Sequence, residues 1–228
     1  MSNITEIPDV ASSRTFHQLG ILVLDGSGSM QHYIGDGNRP LADNVNVSVR
    51  DFLGFFKNSS IKNNFSIAVV TFDDNATVHT PITPLADIDD YADYNPVNNG
   101  HGGRTFIGGA LQKAEELAKE FLSSPEAIQN SIDHKVSIII LSDGLCLKSD
   151  ETLNISKQVK ENDKIQICTT LFLAKEQIGE EETKLAKNVL LDVASAPNFF
   201  KTSYSENDLR QFFTSSLSAN TKYGKTDI

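Results

Sequence analysis

The chain has 228 residues and a formal net charge of -10, with 39% hydrophobic residues, 22% charged residues and two cysteines. This length and composition predict one large domain with a well-formed core. Because the chain is acidic and has no cluster of Lys and Arg, we expect neither nucleic acid nor a membrane as a partner. Two cysteines are too few for a disulfide framework.

The amino-terminal residues show no basic segment followed by an apolar one, so they do not have the pattern of a signal peptide. The longest apolar runs are much shorter than a membrane span. Together these two features predict a cytoplasmic protein.

In chain order, apolar runs of strand length alternate with segments of helical period. Strands are predicted at 19–25, 65–74, 76–82, 135–144, 164–174 and 198–202. Helices are predicted at 41–57, 106–122, 149–163, 180–195 and 205–220, with Ser149 as an N-cap and a Ser-x-x-Asp capping box at 205–208. This alternation predicts an α/β fold: a doubly wound, mostly parallel sheet with one antiparallel edge strand and helices on both faces.

The same pattern predicts the domain boundaries. Residues 1–16 are expected to form an amino-terminal arm, residues 17–217 the folded domain and residues 218–228 a carboxyl-terminal tail. Residues 83–104 are the only long irregular stretch inside the predicted domain, and loops of that length often carry function.

Polar residues follow two of the predicted parallel strands, and another polar residue precedes a helix. Because open parallel sheets bind their ligands beyond the carboxyl ends of the strands, we expect these residues to converge. The candidate site residues are Asp25, Ser27, Ser29, Thr105 and Asp143. Glycines between the two serines let a tight loop aim both hydroxyls at one point.

This set offers only oxygen ligands, which hard divalent cations such as Mg²⁺ and Mn²⁺ prefer. An ion held mainly by neutral hydroxyls keeps much of its positive charge. It therefore favours one further carboxylate, supplied by a partner. The residues predict a docking site rather than a closed structural metal site.

Taken together, the Asp25-x-Ser27-x-Ser29 motif, Thr105 and Ser142-Asp143-Gly144 resemble the von Willebrand factor A (vWA) domain family over most of the chain. The resemblance implies a Rossmann-like vWA fold with a metal-ion-dependent adhesion site (MIDAS) that holds Mg²⁺, Mn²⁺ or Ca²⁺. It also implies that Ser27 and Ser29 bind the ion directly, that Thr105 binds directly or through water, and that the two aspartates act largely through water.

The sequence DGSGSM is similar to the intracellular and bacterial stand-alone members of that family. The resemblance therefore implies a non-enzymatic interaction module that docks an Asp or Glu of a partner protein. Such a module would serve as a subunit or adaptor of a cytosolic complex in stress response or defence, beside an ATPase, kinase or phosphatase. Partner choice is expected from loops 31–40, 83–104 and 144–150.

Arg104 departs from the family pattern, which has glycine at this position. A cation beside Thr105 has two possible consequences: it weakens metal binding, or it pairs with an incoming carboxylate. The sequence leaves both open.

Two other functions are consistent with parts of the pattern. The first is a metal-dependent phosphatase or phosphotransferase with Asp25 as nucleophile; its acid/base carboxylate would stand two residues later, where this chain has Ser27. The second is a structural subunit with an inherited metal site, in which a helix face or the edge strand makes the contacts.

Several other residues have simpler interpretations. His101 is predicted to be a solvated loop histidine, His79 to be half-exposed and Cys146 to be a partly buried free thiol. The acidic residues between 87 and 93 lack the spacing of a calcium loop, so they are predicted to form a solvated, mobile rim.

Overall fold

A computed structural model describes residues 16–32, 39–99, 102–129, 132–173 and 181–218. The predicted arm and tail lie almost entirely outside these residues. The strands are β1 (Phe16–Asp25), β2 (Phe65–Phe72), β3 (Ala76–Pro84), β4 (Asp133–Ser142), β5 (Ile165–Phe172) and β6 (Phe200–Ser203). The α-helices are α1 (Leu41–Lys57), α2 (Ile107–Leu122), α3 (Pro125–Gln129), α4 (Ser149–Lys160), α5 (Glu181–Val193) and α6 (Glu206–Ser218).

The strands form one six-stranded sheet in the order β3-β2-β1-β4-β5-β6. All neighbouring pairs are parallel except β2 and β3, which pair antiparallel at the edge. This arrangement confirms the predicted α/β fold. Because β1, β2 and β4 are parallel neighbours, their carboxyl ends meet at one edge of the sheet.

Side chains of β1 alternate between two cores, one on each face of the sheet. Leu19, Ile21 and Val23 pack in the core that α2, α4 and α5 cover. Leu22 and Leu24 face the opposite core, which α1 and α6 cover. The central strands are therefore buried on both faces, which explains their nearly continuous apolar sequence.

Three local features differ from the sequence-based expectation. β1 begins at Phe16, three residues before the predicted start, because the polar residues His17 and Gln18 are buried within the strand. Ser149 is not an N-cap: Lys148 holds that position at φ 54°, and the Ser149 hydroxyl donates to the Cys146 carbonyl at 3.1 Å. The short helix α3 had no signal in the sequence.

The predicted capping box of α6 is confirmed in a modified form. The Ser205 hydroxyl accepts from the Asp208 backbone N–H at 3.1 Å, and the Asp208 carboxylate accepts from the Tyr204 N–H at 3.1 Å. The helix thus has two amino-terminal hydrogen bonds supplied by its own side chains.

The acidic stretch between 87 and 93 is attached to α1 through Asp90 and two buried apolar side chains. Asp90 pairs with Lys57 at 2.8 Å, and this contact holds the pKa of Asp90 below its usual value. Ile88 and Tyr94 from the same loop are buried in the α1 core. Asp87, Asp89 and Asp93 are exposed, as the prediction of a solvated rim requires, whereas Asp90 is half-buried.

Among the described residues, no helix has both the length and the apolar character needed to cross a bilayer. Both cysteines are buried and free.

Gly108 marks a close crossing of α2 over α4 and gives a test of the packing. A Cβ added there would lie 2.9 Å from Thr152 Oγ1 and 3.1 Å from Ile155 Cδ1. We expect Gly108→Val to lower the free energy of unfolding by about 1–3 kcal/mol, since overpacking forces the helices apart. Urea denaturation measures this change.

The matched control is Gln112→Val, at an exposed position of the same helix. It should cost less than about 1 kcal/mol, because only helix propensity changes. Equal losses for the two variants would contradict the close crossing.

Candidate functional site

The candidate site lies at the carboxyl edge of the sheet, where β1 ends at Asp25 and β4 ends at Ser142. The Asp25 side chain is fully buried. One of its carboxylate oxygens accepts from the Ser27 N–H at 2.8 Å, and the other accepts from the Ser142 hydroxyl at 2.6 Å. Burial raises the pKa of Asp25, although these hydrogen bonds oppose the shift.

Ser27 and Ser29 connect Asp25 to the second carboxylate, that of Asp143, through a series of short polar contacts. Ser27 Oγ lies 3.1 Å from Ser29 Oγ, and the Ser29 hydroxyl donates to Asp143 Oδ1 at 2.8 Å. Only 5% of Asp143 is exposed. Burial, followed by repulsion from Asp25, raises the pKa of Asp143 to about 7.

One atom of this group is unsatisfied. Asp143 Oδ2 is buried and has no hydrogen-bond partner among the described residues. No Lys or Arg in the described part of the chain forms an ion pair with Asp25 or Asp143. A buried carboxylate oxygen without a partner is costly, so this atom marks a place for a ligand.

Thr105 belongs to a third loop, and backbone hydrogen bonds connect this loop to the other two. The Gly28 N–H donates to the Gly103 carbonyl at 2.9 Å, and the Leu147 N–H donates to the Thr105 carbonyl at 2.7 Å. Gly102 has φ +140°, a conformation that favours glycine. Thr105 is almost fully buried and lines the same cleft as Ser27, Ser29 and Asp143.

Two acidic residues that the sequence analysis missed hold the Thr105 loop. The Gly103 N–H donates to Asp73 Oδ2 at 3.0 Å, and the Arg104 N–H donates to Asp74 Oδ2 at 3.1 Å. Asp73 and Asp74 directly follow β2. The rule that selected residues after β1 and β4 would have found them if it had been applied to β2 as well.

The Arg104 side chain stays outside the site. Its side chain is 77% exposed, and its Nε lies 3.5 Å from Asp74 Oδ1. The guanidinium therefore stands at the rim of the cleft, paired with a carboxylate that is not one of the candidate residues.

The cleft above these residues has a volume of about 500 Å³. Besides the candidate residues, its walls include Arg104, the half-exposed Leu145, and Glu182 from the start of α5. The mouth of the cleft is therefore acidic at Glu182 and apolar at Leu145.

The structure brings all five candidate residues to one edge: Asp25, Ser27, Ser29, Thr105 and Asp143. Their side chains offer only hydroxyl and carboxylate oxygens, which suit a hard divalent cation. The unsatisfied oxygen of Asp143 fits such an ion. That these residues are metal ligands stays a prediction.

The remaining sequence-based interpretations have separate outcomes. His79 is half-buried against the Tyr94 ring, as predicted. Cys146 is a buried free thiol whose pKa burial raises. His101 lies outside the described residues.

A sequence profile of the von Willebrand factor type A domain matches residues 21–145, which is more than half of the chain. The chain belongs to the vWA domain family. The matched segment runs from the middle of β1 to just beyond β4, so it contains Asp25, Ser27, Ser29, Thr105 and Asp143. No curated protein matches the chain.

Solved structures show the same fold at low sequence identity. The vWF domain of the type V pili tip protein Mfa5 from Porphyromonas gingivalis has a TM-score of 0.68 and 14% identity, covering 95% of this chain and 99% of that one. The open conformation of the pilus adhesin SpaC from Lactobacillus rhamnosus GG has a TM-score of 0.69 and 12% identity, with coverage of 91% and 30%. The vWA chain thus spans about a third of SpaC.

A third similar structure is proximal thread matrix protein 1 (PTMP1) from the mussel byssus, described as having a zinc-occupied MIDAS motif. It has a TM-score of 0.57 and 20% identity, and the match covers 90% of this chain and 46% of PTMP1. At these identities the likeness shows the fold alone.

The raised pKa of Asp143 predicts how the metal-free vWA domain responds to pH. An unfolded Asp titrates near pH 3.9, so the folded state binds the extra proton between about pH 4 and pH 7. Stability should therefore fall as pH rises through this window, by on the order of 4 kcal/mol from this residue. Urea denaturation in EDTA at several pH values measures the fall.

The Asp143→Asn variant serves as the control because its side chain does not titrate. The difference in unfolding free energy between the variant and the wild type should grow in favour of the variant from pH 5 to pH 8. Parallel stability curves would contradict a buried, unpaired Asp143.

Proposed function

We propose that this vWA domain is a binding module that holds a divalent cation among Ser27, Ser29, Thr105, Asp25 and Asp143 and docks an acidic residue of a partner protein on it. The observation that carries the proposal is the buried Asp143 Oδ2, which has no hydrogen-bond partner among the described residues and lies beside hydroxyl oxygens. A cation would supply the positive charge that the two carboxylates lack.

The ligand types favour Mg²⁺ or Mn²⁺, with Ca²⁺ as a further candidate. Serine, threonine and aspartate oxygens are hard ligands, and no His or Cys is among the five. The zinc-occupied MIDAS motif of PTMP1 supports a divalent cation at such a site in a related fold. It does not decide which ion this chain prefers.

The arrangement of Asp25 supports binding rather than catalysis. The side chain is fully buried, and both of its oxygens accept hydrogen bonds from Ser27 and Ser142. A phosphatase nucleophile needs an oxygen that can reach the phosphorus atom. With both oxygens engaged below the cleft floor, Asp25 suits the positioning of Ser27 better than attack on a substrate.

The cleft also suggests what the partner offers. The neutral hydroxyls of Ser27, Ser29 and Thr105 leave most of the charge on the ion, which favours an incoming Asp or Glu. Arg104 at the rim is placed to pair with a second acidic group of that partner. We propose a cytosolic complex with an ATPase, kinase or phosphatase in stress response or defence as the setting. An extracellular partner, as the pilus proteins among the similar structures suggest, is the alternative.

Metal binding is the first test. We expect isothermal titration of the apo-protein with Mn²⁺ or Mg²⁺ to show one site, and we expect Ser27→Ala and Asp143→Ala each to weaken it about tenfold or more. Ser60→Ala removes an exposed hydroxyl from the connection between α1 and β2, so it should leave the affinity unchanged. Unchanged affinity in both site variants would rule out this metal site.

Arg104 gives a test that separates metal binding from partner binding. A pull-down with and without EDTA, read by mass spectrometry, first identifies a metal-dependent partner. Arg104→Gln should then weaken binding to that partner about tenfold while Mn²⁺ affinity stays within about twofold, because Arg104 lies at the rim. Arg210→Gln, an exposed arginine of α6, is the matched control.

If Arg104→Gln leaves partner binding unchanged while Ser27→Ala abolishes it, the cation docks the partner without help from the rim. If every captured protein binds equally well in EDTA, the docking proposal is wrong. The inherited-site alternative predicts that second result.

A further inference from the structure

A second group of ligand-type side chains lies at the opposite edge of the sheet. His17 near the start of β1 and His134 near the start of β4 are register partners. Because they continue the alternation of Leu19 and Val136, both rings lie on the face that α2 covers. Asp25 follows His17 by eight positions in β1, and a strand rises about 3.3 Å per residue. This group therefore lies about 26 Å from the carboxyl edge.

The hydrogen bonding of His134 leaves one ring nitrogen available. Its Nδ1 lies 3.1 Å from the carbonyl oxygen of Ile132, which can only accept. In the neutral ring Nδ1 therefore carries the proton and Nε2 carries a lone pair. His134 is 2% exposed, and Nε2 has no hydrogen-bond partner among the described residues.

His17 presents its other nitrogen to the same point. Its Nε2 lies 3.0 Å from the Ser66 hydroxyl oxygen, which can accept a hydrogen bond from the Nε2–H group. Its Nδ1 faces Glu126 of α3, 3.8 Å from Oε1. The three ligand atoms of His17, Glu126 and His134 lie within 4.8 Å of one another.

Phe121 of α2 closes one side of this group. Its ring centroid lies 4.9 Å from that of His17 and 5.6 Å from that of His134. The apolar wall fixes the orientation of both imidazoles and keeps water away from them. Such a support for ligating histidines is typical of metal sites.

We propose that His17, Glu126 and His134 form a transition-metal site that takes zinc. Two imidazole nitrogens and one carboxylate are ligands that Zn²⁺ favours and Mg²⁺ does not. A carbonyl that accepts from the far nitrogen of a ligating histidine, as Ile132 does for His134, is a common feature of zinc centres. The set leaves a fourth position open for water or another ligand.

The present spacing is compatible with an ion after a small adjustment. Tetrahedral zinc at about 2.0–2.1 Å from each ligand holds the ligand atoms about 3.4 Å apart. Because no two of the three ligand atoms lie more than 4.8 Å apart, their separations must shrink by at most about 1.4 Å. Glu126 can supply most of this movement, since its side chain is 46% exposed and belongs to a short helix. Its exposed carboxylate also gives the ion an entry path.

A metal-free alternative is a protonated His17 paired with Glu126. That arrangement accounts for the 3.8 Å contact, but it gives no role to the buried Nε2 of His134. A bound zinc ion explains both the contact between His17 and Glu126 and the buried Nε2 of His134. Bound there, the ion would join the amino ends of β1 and β4 to α3, independently of the proposed site at the carboxyl edge.

The test uses the full chain with the carboxyl-edge site disabled by Ser27→Ala and Asp143→Ala. Zinc affinity is measured by competition with a chromophoric chelator, and Co²⁺ absorption reports the coordination geometry. We expect one equivalent of Zn²⁺ in this background. Glu126→Gln should weaken the affinity at least about tenfold, and His134→Ala should abolish binding. Glu120→Gln and His79→Gln, at positions outside the group, should change the affinity less than twofold.

Glu126→Gln also keeps the test decisive if His134→Ala fails to fold, because Glu126 is on the surface. In wild-type protein, zinc should shift the ¹⁵N resonances of His17 Nδ1 and His134 Nε2. No bound zinc, unchanged affinity in Glu126→Gln, or unshifted imidazole resonances would each overturn the proposal.

Discussion

Two buried carboxylates that form no ion pair with a Lys or Arg in the described part of the chain set the constraint on which the carboxyl edge of this vWA domain depends. Burial raises the pKa of both Asp25 and Asp143, and repulsion from Asp25 adds to the rise at Asp143. Hydrogen bonds from Ser27 and Ser142 satisfy both oxygens of Asp25, whereas Asp143 Oδ2 has no hydrogen-bond partner among the described residues. A divalent cation would compensate the negative charge of these two carboxylates. Binding of a partner carboxylate to the ion would then be favourable as well.

The rest of the fold serves to hold that arrangement. Parallel pairing of β1 with β2 and β4 brings three loops to one edge. Asp73 and Asp74 then fix the backbone of the loop that carries Thr105, and Gly28 allows the first loop to approach it closely. Positioning therefore comes from hydrogen bonds to the loop backbones, and Ser27 and Thr105 line the cleft.

Sequence patterns predicted the sheet and the five candidate residues because both depend on local order: apolar strands, followed at once by small polar residues. They did not predict the buried start of β1, where His17 and Gln18 interrupt the apolar pattern yet bond to Ser66 and Ser137 across the fold. These two pairings join residues that are distant in sequence, and a single chain without its fold does not show them. The left-handed conformation of Lys148 was not predicted either.

The central claim is that a cation binds between the hydroxyls and carboxylates of the carboxyl edge. Anomalous diffraction from crystals grown with Mn²⁺ tests it most directly, because the scattering signal locates the ion itself. The account predicts a peak in contact with Ser27 Oγ and Ser29 Oγ and beside Asp143. A fully hydrated or absent ion at this edge, with well-ordered serines and Asp143 still lacking a partner, would contradict it.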